Sequence, residues 1–331
     1  MSTPRIKKTI GIFIGLWAIL VPQLPFAASS PQAVDKSLKI AMLVWRGETE
    51  AEQGFKDALQ TLGYRATFRV LNAQQDQKSL ADLLHHEVIP QLDAFDYIYT
   101  FGTTVSKMTR GVIRDQIPQV FNVVTDPVGA GIVESLQAPG GRISGATNRI
   151  PIRLQLEAAL KLFSFQRLGL LFNPREKNSM IERQQLYAVA KQLHLEVIDL
   201  RSPPVHDMLQ MNLQKLKDKS IVVDAVYLPS DSYMVSQAVL IGAELRAAHI
   251  PSIGSIDTFV EYGALVGVVA DYYQLGQAVG RIVHRHQQGE PLGRIAVHIV
   301  REPLLVFNNT AIERFKLNIP DAVLKDAVIV K

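Results

Sequence analysis

Six short stretches of this 331-residue chain place small, polar or charged residues directly after apolar runs. They read Trp45-Arg46, Gly102-Thr103-Thr104, Thr125-Asp126-Pro127, Asn173-Pro174, Pro229-Ser230-Asp231 and Ser255-Ile256-Asp257. Together they offer hydroxyls, carboxylates, an amide, one guanidinium and one indole. No His occurs at any of them, so the nucleophile–base pair that covalent catalysis needs is missing, and the set does not read as an enzyme's. It can instead hold a small polar molecule. Hydroxyls and a guanidinium suit an anionic group, carboxylates a cationic one, and an exposed indole stacks on a flat surface. Each position also has a plainer use. Thr, Ser and Asp are common helix N-caps, Asp126-Pro127 forms turns, Asn173 can bond its own backbone, and Trp45 can pack between lobes.

For these stretches to face one space, the runs before them must lie side by side. The chain alternates strand and helix. Residues 39–44 (KIAMLV) form a buried strand, and 49–62 a helix with Phe55, Ala58, Leu59 and Leu62 on one face, ended by Gly63. Further strands fall at 64–71, 97–101 and 120–124, with helices at 77–92 and 103–114. After Pro151 the same grammar resumes, with helices at 152–163, 176–193, 205–217 and 232–248 and strands at 168–172, 195–200, 225–228 and 252–254. Such alternation predicts an α/β fold of two Rossmann-like lobes, each a parallel sheet flanked by helices. The Gly/Pro-rich stretch 138–152 is the natural first crossing between them. Ligands of open parallel sheets bind outside the carboxyl ends of the strands, where all six stretches fall. Helices begin there too, so free backbone N–H groups face the same space.

Residues 1–30 read as a secretory signal peptide. Arg5, Lys7 and Lys8 precede the uncharged apolar run 10–21, Pro22 and Pro25 break it, and Ala27, Ala28, Ser29 and Ser30 supply small residues for cleavage. The run is shorter than the roughly 20 residues of a membrane span; an uncleaved N-terminal anchor is the alternative. The remainder, about 300 residues, suits two domains. Setting Arg5, Lys7 and Lys8 aside from the 35 Lys+Arg leaves 32 against 31 Asp+Glu, a near-neutral balance that gives no support to a nucleic-acid or anionic-membrane partner. Cysteine is absent, which excludes disulfides, a thiolate nucleophile, a Cys-ligated metal and lipoprotein attachment. In a double-membraned bacterium the product would be periplasmic. His85-His86 and His284-x-His286 sit on polar helical stretches and read as solvated rather than as a metal site.

Several familiar motifs fail. Gly129-Ala130-Gly131 opens a G-x-G, but Glu134 stands where a third glycine belongs, so no dinucleotide is expected. Neither a G-x-S-x-G elbow nor a Walker A sequence is present. No catalytic residue, metal or cofactor is expected.

Residues 124–141 (VTDPVGAGIVESLQAPGG) resemble the ABC-transporter substrate-binding protein family, whose members include tryptophan- and phenylalanine-binding proteins. The segments 54–64 (GFKDALQTLGY), 171–179 (LFNPREKNS), 225–232 (AVYLPSDS) and 263–276 (GALVGVVADYYQLG) agree in order, so the resemblance covers nearly the whole chain after the signal. It implies a type I periplasmic binding protein, with lobe 1 at 38–148 plus 271–292 and lobe 2 at 149–270 plus 293–331. The chain would cross between lobes near 148, 270 and 293, helix 272–289 returning to lobe 1 and strands 295–300 and 304–307 joining lobe 2. The implied role is a monomer that captures a small polar ligand, an amino acid and in the named members an aromatic one, for an ABC-type membrane permease. A sensing module that presents the bound solute to a membrane receptor would need the same cleft.

An amino-acid zwitterion divides the candidates by charge. Thr103, Thr104 and Thr125 suit the carboxylate, with Arg46 as a clamp. Asp231 suits the ammonium, with Asp257 second. Ser230, Asp126 and Asn173 complete the candidate set, and Trp45 would stack on a flat side chain. Asp271 reads as a cap or hinge residue.

Overall fold

The computed structural model describes residues 36–205, 207–325 and 327–331; the expected signal peptide lies outside them. The first strand, β1 (Ser37–Val44), is buried at every residue from Ile40 onward. A strand with no polar face needs cover on both sides, which parallel sheets obtain from their crossover helices. The chain supplies them in order: α1 (Glu50–Thr61), β2 (Arg65–Asn72), α2 (Gln77–Leu83), β3 (Tyr97–Phe101), α3 (Thr103–Ile113), β4 (Gln119–Asn122) and β5 (Ile143–Gly145). The five strands form one parallel sheet in the order β2-β1-β3-β4-β5.

The second set runs α4 (Ile152–Leu160), β6 (Arg167–Phe172), α5 (Lys177–Gln192), β7 (Glu196–Arg201), α6 (Met208–Lys217), β8 (Ala225–Leu228), α7 (Ser232–Ser236), α8 (Ala238–Ala247), β9 (Ser252–Gly254), α9 (Asp257–Glu261) and β10 (Val266–Val269). Then follow α10 (Tyr272–Gln287), β11 (Leu304–Asn308), α11 (Asn309–Phe315), α12 (Asp321–Leu324) and β12 (Ala327–Val330). This sheet has seven strands in the order β12-β11-β10-β9-β8-β6-β7, parallel except where β10 meets β11. Each sheet therefore winds both ways from its first strand, β1 between β2 and β3, and β6 between β7 and β8. Loops leaving such paired strands diverge and open a crevice at the switch point. In the first lobe those loops carry Trp45-Arg46 and Gly102-Thr103. In the second they carry Asn173 and Ser230-Asp231.

Several elements differ from expectation, each for a local reason. The helix expected over 77–92 stops being α-helical after Leu83, because Pro90 has no N–H for the ladder; Leu84–Val88 widens and Ile89–Ala94 tightens into 3-10 turns. The helix expected over 232–248 breaks at Gln237, giving α7 and α8. Residues 295–300, expected as a strand of the second lobe, lie instead against the first sheet. Ser144 Oγ donates to the Ile295 carbonyl (2.8 Å), the His298 N–H donates to Gly145 (2.8 Å), and His298 bridges Ala146 in parallel. Two short strands, β5 and β12, add to the expected set, and β5 falls in a Gly/Pro-rich stretch whose composition does not mark it.

Helix α10 returns from the second sheet to the first and buries Leu275, Val279, Ile282 and Val283 with Phe55 and Leu59 of α1. His284 and His286, expected to be solvated, accept this docking: Tyr64 meets His284 at 2.8 Å and Tyr97 meets His286. Asp271 caps the helix by accepting from the Gln274 N–H. The two helices touch backbone to backbone, since a Cβ on Gly276 would collide with the Ala51 carbonyl and one on Gly54 with that of Tyr273. We expect Gly276→Ala to lower unfolding stability by about 1–3 kcal/mol, the usual range for overpacking. Urea denaturation should show a lower midpoint at an unchanged m-value.

Candidate functional site

The carboxyl ends of the two sheets face each other across a partly open cleft. Trp45, Arg46, Thr103, Thr104 and Thr125 line it from the first lobe. Asn178, Ser230 and Asp231 line it from the second, and Tyr272 from the crossing into α10.

The first wall is set by a buried network. Thr49 and Glu52 form a capping box on α1, with Glu52 accepting from both the Thr49 N–H (2.7 Å) and its hydroxyl (2.8 Å). The Tyr99 hydroxyl donates to the same carboxylate (2.7 Å), and Asn122 Nδ2 donates to Tyr99 (3.1 Å). This anchors the loop that carries Trp45 and Arg46. Burial raises the Glu52 carboxyl above its ordinary range, against the pull of the Tyr99 bond. Asn122 Oδ1 then accepts from the Val123 N–H (2.9 Å). Val123 sits at φ 54°, a left-handed conformation that costs a β-branched residue about 1–3 kcal/mol. That turn carries the chain from the end of β4 to Thr125 at the cleft.

Thr103 and Thr104 are not caps. The N-cap of α3 is Gly102, at φ 85°, and no side chain caps the helix. The first turn of α3 therefore presents backbone N–H groups and the positive end of its dipole beside two hydroxyls. The Arg46 guanidinium lies 5.7 Å from the centre of the Phe101 ring. This wall is electropositive.

The second wall is rich in carboxylate. Asp231 caps α7 through the Met234 N–H (3.0 Å) and also accepts from the Asn173 N–H and the Ser179 hydroxyl, both at 2.6 Å. Only 1% of it is exposed. Burial, reinforced by the nearby Glu176, pushes its carboxyl well up from the ordinary aspartate range. Asp231 thus lines the cleft while bracing the loops after β6 and β8. Asn178 Nδ2 donates to the Ser230 carbonyl and ties the same loops together.

Seven of the ten residues singled out from sequence line the cleft, and three do not. Asn173 spends its Oδ1 on the Arg175 N–H (3.0 Å) and its own N–H on Asp231. Asp126 closes a turn through the Gly129 N–H (2.9 Å), with Arg149 at 3.9 Å. Asp257 accepts from the Thr258 N–H (2.7 Å); burial raises its carboxyl while the charge of Arg46 opposes the rise.

Sequence reasoning missed a second, smaller hollow that shares Thr125 and Ser230 with the cleft. Asn148, Gln155, Glu182 and Ser255 line it. Glu182 lies on the buried face of α5 with Ser179, Leu186 and Ala190, and an acid on an otherwise small and apolar stripe is a signal visible in sequence. Both its oxygens accept from the Ser230 N–H, at 3.2 and 3.1 Å. Burial pushes its carboxyl up to about 7, against those bonds. Asn148 Oδ1 is buried without a hydrogen-bond partner, and the Ser255 hydroxyl lies beside that of Tyr227. Among the described residues no group of three His, Cys, Asp or Glu could hold a metal ion. No helix there is long and apolar enough to cross a membrane.

Two doubly wound α/β lobes, crossed by the chain and facing each other at their strand ends, make this a type I periplasmic binding protein fold. The model of the ABC transporter substrate binding proteins matches residues 40–331, and the chain belongs to that family. It is 30% identical over 236 residues to a tyrosine-binding protein of Clostridioides difficile, an alignment covering 70% of this chain and, at 66%, just under two thirds of that relative. A Streptococcus pneumoniae domain solved in complex with L-Trp superposes with a TM-score of 0.79 at 24% identity, covering 89% of this chain and 100% of that one. A conserved domain protein of Vibrio cholerae superposes at 0.80 with 25% identity, covering 89% and 99%.

Two outcomes follow from the buried carboxylates. Asp231→Ala leaves three donors without an acceptor and should cost roughly 2–5 kcal/mol of unfolding free energy, measured by urea titration. Glu182 has a folded pKa of about 7 against an ordinary 4.5, so its contribution is fully present below 4.5 and is lost as pH rises through 7. The free protein should melt at a higher temperature at pH 5.5 than at pH 8. Glu182→Gln should flatten that slope, of which this one group supplies about 2 kcal/mol between those pH values.

Proposed function

We propose that this chain is an exported, monomeric solute-binding protein that takes up a free amino acid in the interlobe cleft and delivers it unchanged to the membrane permease of an ABC transporter. The observation that carries the reading is the opposite polarity of the two walls. The first presents Arg46, two threonine hydroxyls and the uncapped start of α3, a setting for a carboxylate. The second presents buried carboxylates, which oppose a cation. A zwitterion spanning the cleft satisfies both and holds the lobes together. Trp45 at the cleft suits a flat side chain, in keeping with a relative that binds tyrosine and a structural neighbour holding L-Trp.

In this reading Trp45, Arg46, Thr103, Thr104, Thr125, Ser230 and Asp231 contact the ligand, while Asp126, Asn173 and Asp257 shape the loops behind them. The moving bodies are 38–148 with 271–298 and 149–270 with 299–331, since residues 293–298 are bonded to β5 and its neighbours in the first. Residues 1–30 direct export and are cleaved, and without cysteine the product is free in the periplasm. Micromolar affinity, about −8 kcal/mol, is within reach of several charge-assisted hydrogen bonds in a closed cleft.

Mass spectrometry of small molecules released from the denatured protein should identify an amino acid. Adding it back should reduce the radius of gyration in solution scattering, and Arg46→Ala should weaken it about 10-fold or more. A protein whose melting temperature and scattering ignore all twenty amino acids does not have this function.

A further inference from the structure

Glu182, Asn148 and Ser255 line the hollow behind the cleft and offer it acceptor oxygens. Asn148 is 6% and Ser255 7% exposed; Asn148 Oδ1 has no partner, and the Ser255 hydroxyl lies beside that of Tyr227. A bare buried acceptor is costly, so one beside a buried carboxylate marks a place for a group with several donors. Two neighbouring side chains that line the hollow carry donors, Arg149 and Gln185, and the Arg149 charge reaches Glu182. Gln155 donates to the Ile150 carbonyl (3.3 Å) and accepts from Tyr227 (3.0 Å). Arg149 lies 3.9 Å from Asp126 with its side chain 45% exposed.

We propose that this hollow receives the ligand's α-ammonium group, with Glu182 as its counter-charge and Asn148 and Ser255 as its neutral acceptors. The inference rests on the amino-acid reading above and names the residue that recognises the amine. An ammonium brings three donors and a positive charge, which matches one carboxylate and two neutral oxygens. Thr125 borders both spaces. A carboxylate held there by the first wall leaves the adjacent amine at the mouth of the hollow. Asp231 is the poorer partner because it does not line this hollow.

The proposal carries a proton linkage. Burial favours the protonated form of Glu182 in the free protein, and an ammonium favours the ionised form. Binding below neutral pH therefore releases a proton from Glu182, and affinity rises as pH increases from 5.5 to 8. The charged and titratable groups facing Glu182 are Asp231 on the loop after β8, Arg149 on the first crossing, Tyr227 on β8 and Tyr272 on α10.

Titration calorimetry decides the matter, using the twenty L-amino acids and, for each that binds, its desamino analogue with hydrogen in place of the amine. The wild type should bind the amino acid about 10-fold or more tighter than the analogue. Glu182→Gln should lose most of that preference while changing affinity for the analogue less than about twofold, since only the amine meets this residue. Titrations in two buffers of different ionisation enthalpy should show proton release near pH 6.5 in the wild type and much less in the variant. Circular dichroism checks that the variant folds; if it does not, wild-type proton release, the analogue gap and Ser255→Ala decide instead. An amino acid that binds wild type and Glu182→Gln equally, or no better than its analogue, overturns the ammonium assignment alone and leaves the hollow to water. Failure of every amino acid to bind overturns this assignment together with the function it rests on.

Discussion

Parallel strands impose the arrangement on which the rest of this molecule depends. A strand such as β1, buried from Ile40 to Val44, must be covered on both faces, and right-handed crossover helices are the available cover. Every crossover returns the chain to the same edge of the sheet. The loops after the parallel strands, and the helices that begin there, therefore collect on one side, and two such sides face each other across the cleft. The binding surface is thus assembled from loops that the two hydrophobic cores hold from behind.

Those loops are stitched by buried carboxylates. Glu52 joins the start of α1 to Tyr99 and, through Asn122, to the strained turn at Val123. Asp231 joins the loops after β6 and β8, and Glu182 holds the Ser230 backbone. Burying an acid is unfavourable, and each is accepted because it satisfies backbone or hydroxyl donors that would otherwise be bare. The raised proton affinity of all three is the residue of that compromise. Bracing and cleft lining consequently share atoms in the second wall, whereas the first wall offers Arg46 and a helix end that no side chain caps.

Pattern alone made the architecture legible. Apolar runs of strand length alternating with amphipathic helices lead to doubly wound sheets, and the polar residues after each run mark the functional edge. Short elements escaped: β5 has three residues in a Gly/Pro-rich stretch, and residues 295–298 align with β5 through bonds to chain about 150 positions away. Such pairings depend on partners that no local window contains.

By itself the sequence determined the two-lobe α/β class and most of the residues at the cleft, because burial periodicity and strand-end position are local properties. Only the tertiary structure decided their roles. It turned Asn173, Asp126 and Asp257 into loop supports, gave Asp231 a full set of donors, and brought Asn148, Glu182 and Ser255 together from three distant segments. Hydrogen-bond satisfaction is a property of the folded environment, and it separates a carboxylate already engaged from an acceptor still without a donor.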